Sequence, residues 1–211
     1  MVTRNKDLMK QAREALSGRW GLAVGTTFVY LLIVVCIGGT VGFIGGRMGN
    51  PSVAANTGSI VQLLLSGAFA LGLATFFLAL ARREDAKLGM LFSGFNNFLK
   101  ATGLFLLMCL FIILWSLLLI IPGIIAAISY QLAFFIMADD PNVGVMEAIN
   151  RSKKMMYGYK WKFFCLNLRF IGWCILGCLT LFIGFLWIIP YMEVSFAKFY
   201  DDVKANYVEG V

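Results

Sequence analysis

The sequence predicts an all-α fold, a polytopic transmembrane helix bundle of about six spans, on three observations. Of its 211 residues, 60% are hydrophobic and only 14% are charged, whereas a soluble domain is nearer half apolar and a quarter charged. The apolar residues form uncharged stretches long enough to cross a bilayer, which takes about 20 helical residues. The charges collect in short segments between those stretches, so the excess apolar surface must face lipid or another protein.

Taken in order, residues 1–20 read as an amphipathic interfacial helix. Leu8, Ala12, Ala15 and Leu16 share one side, and Lys6, Lys10, Arg13 and Glu14 crowd the other. Gly18 is a stop signal. Such a helix is expected to lie on the membrane surface, with Trp20 as its aromatic anchor. Asp7 and Glu14 precede the first apolar run and no A-x-A site ends it, so an uncleaved span is expected rather than a signal peptide.

The six-span domain is expected over 21–200. Its first spans lie near 21–45 and 59–81, the second with a small-residue stripe of Ser66, Ala70 and Ala74 suited to close packing. Residues 82–100 turn from charged to aromatic and read as a second interfacial segment. Residues 101–138 contain no charge at all, too many for one span. Pro122 and Gly123 near the centre predict a break, giving spans near 101–121 and 122–138; one bent helix with a re-entrant segment is the alternative. Asp139, Asp140 and Pro141 mark the start of a third amphipathic helix, with Gly158 as its C-cap. Spans near 162–182 and 185–200 follow, with an outer turn near 182–186 and Pro190 as a further helix-break residue. Residues 201–211 form a polar tail.

Charge placement tests this layout. With six spans, Arg4, Lys6, Lys10, Arg13, Arg19, Arg82, Arg83, Lys87, Lys100, Arg151, Lys153, Lys154, Lys160, Lys162, Arg169, Lys198 and Lys204 all fall on one side. Of the 18 basic residues, Arg47 alone falls on the other. The positive-inside rule then puts both termini in the cytoplasm. The net charge of +7 points to anionic lipid headgroups as partners. No motif or basic groove supports nucleic-acid binding.

Chemistry is sparse. Histidine is absent, which removes the commonest general base. No phosphate-binding loop, dinucleotide fingerprint, nucleophile elbow or metal-ligand cluster occurs. Cys174 and Cys178 share a helix face but read as small apolar residues rather than metal ligands. No catalytic, metal or cofactor site is expected.

The informative residues are polar ones inside spans. Arg169 lies roughly 10 Å into the fifth span from Lys162, and Glu193 roughly 12 Å into the sixth from Asp201, at helical rise. Opposite charges at matching depth suggest a salt bridge, because an isolated charge in hydrocarbon is costly. Gln131, Asn167 and Tyr130 fall close by in this reckoning. A polar cluster of Arg169, Glu193, Gln131, Asn167 and Tyr130 is expected, either as a site open to the cytoplasm or as a lock between helices.

Several stretches carry a resemblance: KDLMKQAREALSGRWGLAVG, IIPGIIAAISYQLAFFIMADDP, EAINRSKKMMYGYKWKFF and GFLWIIPYMEVSFAKFYDD. With Pro122, Tyr130, Ser152, Gly158, Pro190 and Tyr191 in place, nearly the whole chain resembles the bacterial membrane family called "domain of unknown function 975". The resemblance implies a bacterial, cytoplasmic-membrane protein and carries no activity or catalytic residue. The leading expectation is non-enzymatic transport or sensing of a small solute or peptide, since spans interrupted by proline mark transporter sites. A homo-oligomer is among the expected partners, since a homodimer would supply a second half; the substrate stays unknown. The alternative is an interaction or scaffold protein, including protection against membrane-active peptides. A membrane-embedded lipid enzyme is the weakest reading, for want of catalytic groups.

Overall fold

A computed structural model describes residues 3–47, 51–180 and 182–207. Among them the chain is helical, as expected. The order is α1 (Asn5–Leu16), α2 (Trp20–Arg47), α3 (Pro51–Ala81), a 3-10 helix (Leu88–Asn97), α4 (Phe98–Leu118), α5 (Ile120–Tyr130), α6 (Ala133–Asp139), α7 (Val145–Met155), α8 (Lys160–Leu179) and α9 (Phe185–Asn206). Five stretches are long and apolar enough to cross a membrane: Trp20–Thr40, Gly58–Ala81, Leu88–Leu118, Ile120–Asp139 and Lys160–Leu179. The sixth expected crossing, in α9, opens apolar but carries Glu193, Lys198, Asp201 and Asp202. The protein is an all-helical membrane protein with about six spans.

Three helical hairpins, α2–α3, α4–α5 and α8–α9, carry most of the apolar surface. Their outer flanks stay uncovered by protein: Val35 is 71% exposed, Leu117 84% and Leu179 75%. Such faces are stable against hydrocarbon, where exposure costs nothing. The protein's own core lies elsewhere, around α3, α6 and α9, and includes Phe76, Phe77, Leu80, Leu132, Met137 and Phe199. Helix α3 is the hub, packed on α2, α4, α6, α9 and the 3-10 helix.

Helix breaks differ in place from the sequence expectation. The α4–α5 turn falls at Leu119, which is extended with φ −163 and ψ 147. Pro122 is the third residue of α5, where a helical N–H has no partner to lose. The expected spans 101–121 and 122–138 are therefore corrected: Pro122 and Gly123 lie inside α5, not at the turn. A side chain at Gly123 would overlap Ser116, so this glycine lets the two arms close. A second interruption separates α5 from α6 at Gln131 and Leu132. Just before it, the carbonyl of Ser129 accepts a hydrogen bond from the buried Ser152 hydroxyl at 2.7 Å. A backbone group freed from a helix in this setting needs such a partner.

Pro190 is likewise no break. It sits within the continuous helix α9, and the described turn residues are 180 and 182–184, where the Gly184 N–H donates to Thr180 Oγ1 at 3.0 Å. Proline removes a single helical hydrogen bond, and the packed hairpin tolerates the loss. The glycine stops fare as expected: Gly18 and Gly158 have φ of +77 and +81, a conformation that suits glycine after a helix end.

The first two of the three segments expected on the membrane surface are packed on protein instead. In α1 the predicted apolar residues Leu8, Ala12, Ala15 and Leu16 are buried, mainly against α9. Tyr191 donates to the Met9 carbonyl at 3.3 Å, and Asn5 donates to the Lys162 carbonyl at 2.9 Å. The 3-10 helix runs along α3 with backbones nearly touching. A methyl group at Gly72 would overlap the Leu91 carbonyl, and one at Gly94 would overlap that of Ala68. The seam therefore runs through Ala68 and Gly72, while Gly67 lies against the Ala101 carbonyl of α4; of the expected stripe, Ala74 is buried.

Candidate functional site

The densest polar feature is an ion network where α3, α6 and α9 meet. Arg82 follows α3 directly, Asp139 closes α6, and Asp201 and Lys204 lie on the last turns of α9. Arg82 donates to Asp139 Oδ1 at 2.6 Å and to Asp201 Oδ1 at 2.9 Å. Tyr200 donates to Asp139 Oδ2 at 3.0 Å, and Lys204 pairs with the same oxygen. The Asp139 side chain is only 12% exposed. One carboxylate thus holds three donors from two other helices, and charge-assisted bonds of this kind are the strong ones. The hydrogen bond to Asp139 raises the Arg82 pKa above its ordinary value, against the opposing effect of burial and with help from Asp201.

Beside the network opens a cleft of about 420 Å³. Its walls carry both signs of charge: Asp139 and Asp140 on one hand, Arg151 and Lys204 on the other, with the rings of Tyr200 and Tyr207 between. Arg151 pairs with Glu147 at 2.8 Å.

A second acid site fastens the N-terminal segment. Asp202 accepts hydrogen bonds from the Thr3 N–H at 3.1 Å and the Thr3 hydroxyl at 2.6 Å, and pairs with Lys162 at 2.9 Å. Burial pushes its carboxyl upward, but Thr3 and Lys162 together outweigh that and hold it below the ordinary value.

The cluster expected from the sequence is not assembled. Among the described residues no ion pair joins Arg169 to Glu193. Arg169 is exposed on α8, and Glu193 is half-buried in α9. Asn167 donates to the Phe163 carbonyl of its own helix at 3.0 Å. Gln131 is exposed at the α5–α6 interruption. Tyr130 is buried and packs its ring 6.1 Å from that of Phe111. Depth counting aligned these residues along the membrane normal, but among the described residues no hydrogen bond or ion pair links any two of them.

The family model described as "Protein of unknown function (DUF975)" matches the chain over residues 1–134 and 117–207. The chain belongs to the DUF975 family. No curated protein and no solved structure matches it.

In this DUF975 chain, then, sequence reasoning missed the network that dominates the site. Asp139, Asp140, Asp201 and Asp202 read from sequence as helix caps or solvated charges. A usable signal was present, however: acidic pairs at two helix ends and Arg82 at a third, all on the side the positive charges mark. Charges gathered at the bases of neighbouring helices are candidates to meet, and here three helix ends converge.

Proposed function

We propose that this DUF975 protein is a non-enzymatic protein of the bacterial cytoplasmic membrane that binds a small zwitterionic solute or short peptide from the cytoplasmic side, and transports or senses it. Both termini are taken as cytoplasmic, on the distribution of basic residues. The observation that carries the reading is the cleft walled by Asp139, Asp140, Arg151 and Lys204. Carboxylates and cations in one hollow offer a partner to each end of a zwitterion. The hollow shares Asp139 with the ties to Arg82 and Lys204. A ligand competing for Asp139 or Lys204 would therefore loosen α6 and α9, and a ligand shifts an equilibrium only through such differential contacts.

The test is a thermal-shift screen of the purified protein in lipid nanodiscs against di- and tripeptides and free amino acids, followed by flux in proteoliposomes. A ligand at 100 times its Kd should stabilise the fold by about 2.7 kcal/mol. Lys204→Gln should weaken that ligand by about tenfold or more, in line with the loss of one charge-assisted bond. Binding with flux supports transport; binding without flux supports sensing. A flat screen, with crosslinking in native membranes instead capturing a stable protein partner, would replace this reading with the scaffold alternative.

A further inference from the structure

A second hollow, of about 250 Å³, lies between α4, α5, α7 and the start of α8. It is distinct in lining from the cleft above. One end is cationic: Lys153 on the exposed face of α7 and Lys160 at the first residue of α8. Neither lysine has an ion-pair or hydrogen-bond partner among the described residues, whereas Lys162 nearby is paired with Asp202. The rest of the hollow is apolar, with Pro122, Ile125 and Trp115 continuing along the α4–α5 hairpin. Ile125 and Trp115 are about half exposed, on a flank left open to hydrocarbon.

Tyr130 lines the same hollow. It is 4% exposed, and its hydroxyl has no hydrogen-bond partner among the described residues. The only sealed side-chain polar atom lacking a partner among those residues is Asn5 Oδ1, so the Tyr130 hydroxyl keeps access to the hollow. An accessible hydroxyl without a protein partner can donate to an occupant of the hollow. The required occupant combines an anionic, hydrogen-bond-accepting head with an apolar tail, and lies in the membrane.

We propose that this groove binds one anionic phospholipid. Its phosphate sits between Lys153 and Lys160 and accepts from the Tyr130 hydroxyl, and an acyl chain runs past Ile125 and Pro122 to Trp115. Basic hollows between membrane helices are suited to such headgroups. The lipid also bridges α7 and α8 to the α4–α5 hairpin, so it fastens two hairpins together.

Trp115 provides the readout. The protein is reconstituted into phosphatidylcholine nanodiscs containing a minor fraction of brominated phosphatidylglycerol, or the same fraction of brominated phosphatidylcholine. Bromine quenches tryptophan only at contact, and the difference between the parent and Trp115→Phe isolates the groove. Brominated phosphatidylglycerol should quench Trp115 well beyond brominated phosphatidylcholine. Lys153→Gln and Lys160→Gln should each weaken the apparent affinity by about fivefold, and Tyr130→Phe should weaken it with the fold intact. Lys6→Gln, an exposed charge on α1, should leave it unchanged. Equal quenching by the two lipids overturns the proposal. So does an equal effect of Lys6→Gln, which would mean bulk surface charge. Displacement by millimolar inorganic phosphate would mean a free-anion site and also overturns it. Because none of these residues lines the solute cleft, the outcome is independent of the reading proposed above.

Discussion

Arg82 is the residue on which the charged end of the molecule turns. Its guanidinium bridges Asp139 and Asp201, with only 28% of the side chain exposed. Arg82→Gln keeps much of the shape but leaves two partly buried carboxylates without their shared cation. Breaking such a pair costs more than the pair is worth, because the uncompensated charge remains. We expect a loss of about 2 kcal/mol, read as a lower melting temperature in detergent. Asp201→Asn introduced with it should restore part of the loss, and a simply additive double mutant would deny the bridge. Asp202 supplies a pH dependence. Its folded carboxyl is held below the ordinary value, so its contribution is full above the unfolded pKa of about 4. That contribution is lost as the pH falls through the lower folded value, where Thr3 and Lys162 lose their charged acceptor. Melting temperature against pH should therefore drop on the acid side, and Asp202→Asn should flatten that limb. An unchanged limb in the variant would assign the acid sensitivity to other groups.

At the scale of elements, contact with protein overrides the surface behaviour that the sequence suggests. The periodicity of α1 correctly separates Leu8, Ala12, Ala15 and Leu16 from the charged face. It is silent on what covers that apolar face, since lipid and α9 satisfy it equally well. The seam between α3 and the 3-10 helix makes a sharper point, because it depends on missing side chains. Gly72→Ala or Gly94→Ala places a methyl group into a backbone carbonyl, and backbone cannot yield as a flexible side chain does. Each should cost about 3 kcal/mol, seen as low yield of folded protein. Gly89→Ala, on the same 3-10 helix but facing open space, should be well tolerated. If all three substitutions behave alike, the seam is not where the geometry puts it. Proline positions were visible in the sequence, yet Pro122 lies in the first turn of α5 and Pro190 within α9. Proline is allowed both at a helix start and, where packing compensates, inside a membrane helix, so its presence alone locates no turn.

At the scale of the whole molecule, three hairpins rise from one charged end. This arrangement expects residues 82–87 and both termini on the cytoplasmic side. In a cysteine-free background, Asp85→Cys should resist a membrane-impermeant maleimide in intact cells and react once the membrane is opened. Labelling in intact cells would invert the topology. The native cysteines illustrate the inside-out economy of the fold: Cys36 and Cys178 lie on apolar stretches and are exposed. In a bilayer, exposure to the surroundings is exposure to hydrocarbon, so an apolar side chain gains little by turning inward.

The sequence by itself determined that the chain is helical, that it is embedded in a membrane, and roughly which stretches cross. Those facts follow from the run lengths of uncharged residues and from the need of backbone groups in lipid to bond within their own segment. Tertiary structure alone decided which helix faces meet. It left Arg169 exposed on α8, brought Arg82 to Asp139 and Asp201, and set Lys153, Lys160 and Tyr130 around one hollow. Hydrophobicity records depth in the bilayer, and in a uniformly apolar medium it says little about rotation around a helix axis. That rotation is set by close packing at glycines such as Gly72 and Gly94, and by the few polar groups that must find one another.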